Sequence, residues 1–362
     1  MPFIHRVWRS DRALVASVAI VFSAALALGF LDAAVQANEP RYEWVNVTQH
    51  AAFAPRDGAG ALVFKNRMWL LGGWNPRDKE HFPRICNNEV WSSADGAAWT
   101  LEKPNTFLDR TFDSNADWEG RHTAGYAVFQ NKMWIVGGDV NQGHYHNDVW
   151  NSADGKSWKL VTDKVPWGPR ALHYTVVHDG KLWVMGGQTL PEFAKADDAV
   201  FGDIWNSGDG ATWTRVQPAA PCWSPRGVIC GSAVFKDRIW IVGGGIYVTA
   251  QRDWGFNNDA WSSDDGVHWT RHTESAPWTP RIYHVVTVFD DRLWVLQGRI
   301  KGTVDVADAW HSADGVDWAE APKAPWKGRH AASVFAYGGG LWLAAGNSME
   351  RDVWKLQRQA PR

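Results

Sequence analysis

Six times this chain repeats one short apolar phrase with a tryptophan in it: MWLLGG, MWIVGG, LWVMGG, IWIVGG, LWVLQG and LWLAAG. The indoles are Trp69, Trp134, Trp183, Trp240, Trp294 and Trp342, and successive ones stand 65, 49, 57, 54 and 48 residues apart. A unit of about fifty residues cannot bury both faces of its own sheet and must stack on neighbours, which is the sequence mark of a β-propeller blade. Helix signals are nearly absent, so the expected class is all-β, a six-bladed β-propeller of four-stranded blades.

Three further landmarks recur with the phrase. An aromatic residue three before an arginine opens each repeat: Phe53/Arg56, Trp118/Arg121, Trp167/Arg170, Trp223/Arg226, Trp278/Arg281 and Trp326/Arg329. An acidic residue two before a tryptophan follows: Glu89/Trp91, Asp148/Trp150, Asp203/Trp205, Asp259/Trp261, Asp308/Trp310 and Asp352/Trp354. Ser-x-Asp-Gly-x-x-Trp, or a close variant, then ends at Trp99, Trp158, Trp213, Trp269 and Trp318. These read as strands a to d, with tight a–b turns at Lys65-Asn66, Asp179-Gly180 and Gly338-Gly339, and Asp-Gly turns between c and d.

The spacings divide the two edges of each sheet. The c-to-d tryptophan separation is 8 in five repeats, and the arginine-to-strand-b separation is 13 in five repeats and 14 in the fourth. The b-to-c separation instead runs 22, 16, 22, 21, 16 and 12. In an up-and-down meander alternate connections share an edge, so the fixed a–b and c–d turns take one face and the variable b–c and d–a segments the other. Variable segments are where such a fold places binding or catalysis. The last repeat lacks its d strand, and Tyr42–Val47 matches the missing piece, so the N-terminal strand is expected to close the last blade.

Residues 1–37 read as a signal peptide: Arg6, Arg9 and Arg12 precede an apolar run from Ala13 to Phe30, and Val35-Gln36-Ala37 suits cleavage. The mature chain would be secreted or periplasmic, or membrane-anchored if the leader stayed uncleaved, with 38–362 as one propeller. Lys and Arg total 37 against 39 Asp and Glu, a net charge of −2. No basic excess or run points to nucleic acid as a partner. Of three cysteines, Cys222 and Cys230 form the candidate disulfide, the alternative being three unpaired thiols.

The Pro-Arg opening of strand a, the Gly-Gly after strand b and the strand d tryptophan resemble the kelch repeats, over nearly everything after residue 41. That resemblance implies relatives such as the propeller domain of galactose oxidase and periplasmic sialic acid epimerases, and it covers both enzymes and binding platforms. It also implies that arginines of the opening phrase can grip acidic groups. The Ser-x-Asp-Gly hairpins resemble the Asp box of sialidases and are read as turn-stabilising elements.

Candidate ligand residues are Arg121, Arg170, Arg281 and Arg329, whose planar forks suit a carboxylate or sulfate. The competing reading pairs each arginine with its repeat's acidic residue as scaffold. Of 26 tryptophans, only Trp74 and Trp254 in the mature chain fall outside the repeated positions, which suits stacking on a sugar ring or anchoring a loop. His144 and His146, with His81 and Cys86 in the neighbouring segment, are candidate metal ligands; no other cofactor is expected. His122, His173, His284 and Glu119 are candidate acid/base groups.

The galactose oxidase copper-radical set and the sialidase catalytic set do not map onto the chain. The expected function is a monomer that binds a glycan or small anionic ligand on the variable face. An epimerase or mutarotase, and a platform for another protein, are the alternatives.

Overall fold

The computed structural model describes residues 40–139, 143–229 and 231–360. The expected leader and Cys230 lie outside these residues. The described strands fall almost wholly in one unit, Glu43–Gln357. Among the described residues no helix is long and apolar enough to cross a membrane.

The Glu43–Gln357 unit is built from antiparallel sheets. The first sheet runs Gly60–Phe64, Arg67–Leu71, Val90–Ser93 and Thr100–Lys103, in that spatial order. The second and third repeat the order with Gly125–Phe129 to Lys159–Thr162 and with Tyr174–His178 to Thr214–Val216. The fourth and fifth repeats carry taller b–c hairpins, Arg238–Ile246 with Gly255–Ser263 and Arg292–Ile300 with Val304–Ser312. The short strand Arg281–Ile282 pairs with both hairpins and joins the two repeats into one nine-stranded sheet. In the last sheet Tyr42–Thr48 pairs beside Val353–Arg358, followed by Gly340–Ala344 and Ser333–Tyr337. The N-terminal strand therefore supplies the fourth strand of the last sheet.

Local chemistry explains the repeats. Both central residues of the a–b turns have positive φ, for example Lys65 at 46° and Asn66 at 57°, the primed-turn geometry that matches strand twist. In each c–d turn the Asp carboxylate accepts backbone N–H groups of its own turn; Asp95 Oδ1 takes those of Ala97 and Ala98, both at 2.9 Å. The five Asp-box hairpins are thus turn-stabilising, as expected. The Lys65 ammonium donates to Ala153 O and Gln130 to Gly208 O, so the a–b turns sit beside c–d turns of the following sheet on one edge.

The opening aromatic of each repeat meets the d-strand tryptophan edge-on, as in Trp118–Trp158 and Trp278–Trp318, with centroids 5.6 and 6.0 Å apart. Trp44 does the same against Trp326 at 4.5 Å, completing the last sheet. The first strand of each sheet lies against the first strand of the next, and that of the last sheet lies against Gly60–Phe64.

A chain of backbone hydrogen bonds crosses between sheets at these first strands. Ala331 N donates to Tyr283 O, Gly58 N to Ala331 O, Thr123 N to Gly58 O, Leu172 N to Thr123 O and Val228 N to Leu172 O. All six residues have left-handed φ, from 52° at Thr123 and Ala331 to 75° at Val228. Only Gly58 adopts that region freely, so five positions hold a backbone strained for any L side chain. The geometry turns each amide toward its neighbour's carbonyl.

Candidate functional site

Two registers stand directly above this chain of amides. One is the residue after each opening arginine: Asp57, His122, Ala171, Gly227, Ile282 and His330. The other is the residue after the strand b bend: Trp74, Asp139, Gln188, Gly245, Arg299 and Asn347. The second bend position is glycine in all six repeats, with φ 105° at Gly73, whereas the first, 61° at Gly72, is held by Gln297 and Ala345 at 58° and 59° in the last two. Backbone bridges pair the registers as Asp57 with Trp74, His122 with Asp139, Ala171 with Gln188 and Gly227 with Gly245. Ile282 pairs with Arg299, and Asn347 N donates to His330 O.

Asp57, His122 and His330 of the first register, Trp74, Asp139, Arg299 and Asn347 of the second, and parts of the variable segments line a cavity of about 600 Å³. Its wall joins Trp74, Tyr247, Tyr283, Phe193 and Leu190 to Asp57, His122, Asp139, Glu192, Arg299 and Asn347. His122 lies between two carboxylates, Nε2 being 3.4 Å from Asp57 and Nδ1 3.5 Å from Asp139. Burial opposes its charge, but Asp139 and Asp57 prevail and raise its pKa to about 10. His122 is therefore an imidazolium at neutral pH. The separations exceed good hydrogen-bond length, and Asp57 Oδ1, Asp139 Oδ1 and His122 Nδ1 have no hydrogen-bond partner among the described residues. The same holds for Trp74 Nε1, and the Trp74 ring lies 5.8 Å from the imidazole.

The opposite wall is fully connected. Asp305 accepts from His330 Nδ1 at 2.8 Å, from Arg299 at 2.9 and 3.1 Å and from Asn347 Nδ2 at 2.8 Å. Burial would raise the Asp305 carboxyl, but His330 and Arg299 hold it well below the usual range. Tyr283 packs over His330 at 4.9 Å, and burial pushes its phenol pKa upward.

The arginines expected to meet a ligand are corrected to scaffold. Arg121, Arg170, Arg281 and Arg329 are at most 1% exposed. Each clamps its own repeat's acid, as Arg281 does Asp308 at 2.6 and 2.8 Å, and donates to the strand b bend, there Gln297 O. Each acid also accepts from the following tryptophan, as Asp308 does from Trp310 at 2.9 Å. The guanidinium forks are occupied, and the scaffold alternative is the one realised.

The other candidates separate by position. Trp74 and His122 line the cavity. Trp254 packs on Tyr247 at 4.6 Å and stacks on Phe256, behind the wall. His284 is buried with Nε2 on Val242 O at 2.8 Å, and burial lowers its pKa to about 4. His173 lies in a separate space of about 190 Å³, its pKa lowered to about 3 by burial and Arg170. Neither is placed to act in the larger cavity. His81 is paired with Asp78 at 2.8 Å. The fully buried Cys86 sits beside Trp74, with burial, Asp139 and Asp57 all raising its thiol pKa. Cys222 has no disulfide partner among the described residues, and its expected partner Cys230 lies outside them.

Glu119, His144 and His146 converge elsewhere, their ligand atoms all within 4.8 Å of one another. Glu119 Oε2 is 3.1 Å from His144 Nε2 and 3.8 Å from His146 Nε2. Burial and the Arg121 guanidinium lower the His146 pKa to about 3, so its ring is neutral. Glu119 was a candidate acid/base group; the structure groups it with two of the candidate metal ligands instead.

Sequence reasoning missed Asp57, Asp139, Tyr247, Tyr283, Arg299 and Asn347. The available signal was polar residues breaking the repeat directly after the arginine and after the bend.

No protein-family model matches the chain. Over 100 residues, 27% of the chain, it is 30% identical to Ras guanine nucleotide exchange factor F of Dictyostelium discoideum and covers 8% of that protein. Over 213 residues, 55% of the chain, it is 24% identical to the leucine-zipper-like transcriptional regulator 1 homolog of Drosophila melanogaster and covers 19% of it. The chain thus spans less than a fifth of either relative. These are partial likenesses.

Proposed function

We propose that the chain is an exported, monomeric, six-bladed kelch-type β-propeller that binds a neutral glycan in the Asp57–His122–Asp139 cavity. The propeller reading is supported by the repeated four-stranded meanders, the contacts between successive first strands and the fourth strand that the N-terminus gives the last sheet. One observation carries the ligand class. Two carboxylate oxygens and an imidazolium that meet only at 3.4–3.5 Å, beyond good hydrogen-bond length, and an indole N–H with no hydrogen-bond partner among the described residues stand on a wall beside aromatic faces. Sugar hydroxyls both donate and accept, and a sugar's apolar face suits an aromatic ring, so a saccharide satisfies both surfaces at once. An anionic ligand loses its support. The repeated arginines are paired, Arg299 is held by Asp305, and Asp57, Asp139 and Glu192 repel negative charge.

A glycan array followed by calorimetry tests this reading. Trp74→Ala and Asp139→Asn should each weaken binding about tenfold, the scale of one or two lost contacts. Trp254→Ala should change it little. An array without hits, or unchanged affinity in the first two variants, overturns the assignment.

The Asp57–His122–Asp139 array favours a second reading, a sugar mutarotase or epimerase in which a carboxylate takes the anomeric hydroxyl's proton while the imidazolium protonates the ring oxygen, breaking the bond between that oxygen and the anomeric carbon, with closure reversing both transfers. Anomeric exchange followed by NMR separates the two, because a pure binder leaves the exchange rate unchanged.

A further inference from the structure

We propose that Glu119, His144 and His146 form a binding site for a zinc-class divalent metal ion, separate from the central cavity. The backbone from His144 to His146 places the two imidazoles together, with ring centroids 4.9 Å apart. Residues alternate across an extended segment, so Tyr145 goes to the other side. Its hydroxyl accepts from Leu190 N at 2.8 Å and donates to Leu190 O at 3.1 Å, which fixes the segment's orientation. Glu119 is held between the buried Trp118 and Arg121, whose Nε donates to Glu119 O at 3.2 Å.

Metal–ligand bonds of about 2.0–2.1 Å set neighbouring tetrahedral ligands about 3.3–3.4 Å apart. The observed 3.1 and 3.8 Å from the Glu119 oxygen to the two imidazole nitrogens bracket that separation. A simple Glu119–His144 ion pair accounts for only part of the arrangement. It leaves unexplained His146 Nε2, which is buried, has no hydrogen-bond partner among the described residues and faces the same carboxylate oxygen. Behind His146, Asp148 Oδ2 lies 3.7 Å from Nδ1, beyond hydrogen-bond length and already accepting from Arg121 and Trp150, so it lends negative charge there without orienting the ring. The residues open onto a cleft of about 220 Å³ that also includes Ser114, Asn115 and Asp163, leaving room for water as a further ligand. Two imidazoles and one carboxylate suit zinc and its first-row neighbours, whereas calcium takes six to eight oxygens.

The test uses the full mature chain, stripped with chelator and titrated with Zn²⁺ alone by calorimetry, with Co²⁺ visible absorption reporting coordination. One ion per chain is expected. Glu119→Gln and His144→Ala should each weaken Zn²⁺ binding at least about tenfold, as for loss of a metal-site contact. His144 is exposed, so His144→Ala tests the site without threatening the fold. His81→Ala should bind as the parent does. Absence of stoichiometric binding overturns the proposal, as does parental affinity in both site variants or an equal loss in His81→Ala.

Discussion

The charge on His122 can be tested by removing its two carboxylates one at a time. At an effective dielectric constant of 20, ion pairs at 3.4 and 3.5 Å are each worth about 5 kcal/mol, or roughly 3.5 pKa units. The net rise from 6.5 to about 10 equals about one such pair, so burial cancels about the other. Asp57→Asn should then return His122 to near its ordinary value, and Asp57→Asn with Asp139→Asn should leave it neutral at pH 7. NMR titration of ¹³C-labelled histidine, assigned with His122→Gln, reads this directly. Because the folded pKa is raised, the stabilisation is complete below pH 6.5 and is lost as pH rises from there through about 10. The loss is at most about 5 kcal/mol, an upper bound because the side chain is 16% exposed to solvent. Urea unfolding at pH 6 and pH 10.5 should show the difference in the parent and little of it in Asp57→Asn. A parental His122 that titrates near 6.5, or one unmoved by either Asn substitution, refutes the reasoning.

Two further outcomes concern the scaffold. Arg281→Leu should lower unfolding stability by up to about 3–5 kcal/mol, because Asp308, whose side chain is 25% exposed, would lose its cation; a change below about 1 kcal/mol in chemical denaturation would contradict the clamp. Deleting residues 38–50 removes the strand beside Val353–Arg358 and the Trp44–Trp326 contact. The melting temperature of the whole Glu43–Gln357 unit should fall in a single transition, and an unmoved transition would count against the N-terminal strand as a structural partner.

Landmarks that recur in every repeat were legible because each copy performs the same packing or turn-forming task. The place of Trp44 in the last sheet was legible in the same way, since that repeat lacks a d strand of its own and the spacing matches. The arginines allowed two readings. A guanidinium once per repeat suits a convergent anion grip, but its acidic partner recurs as faithfully and repetition favoured the scaffold pair, which is the clamp seen from Arg281 to Asp308. The cavity was harder to read because its residues break the pattern: Asp57, His122 and His330 stand where other repeats carry Ala171, Gly227 and Ile282. Tyr247 reaches the wall from a tall hairpin whose length, but not direction, the sequence revealed. Left-handed backbone at Thr123, Leu172, Val228, Tyr283 and Ala331 had no signal at all, because glycine occupies only Gly58 of the six equivalent places.

That line of amides separates the work of holding the sheets together from the work of meeting a guest. Since main-chain atoms make the links, the residues one step away can differ from repeat to repeat. Ala171 and Ile282 are buried in an apolar cluster and a side chain at Gly227 would collide with the Leu172 carbonyl, so a new specificity would be written into the vestibule at Asp57, His122 and His330, above an architecture left as it is.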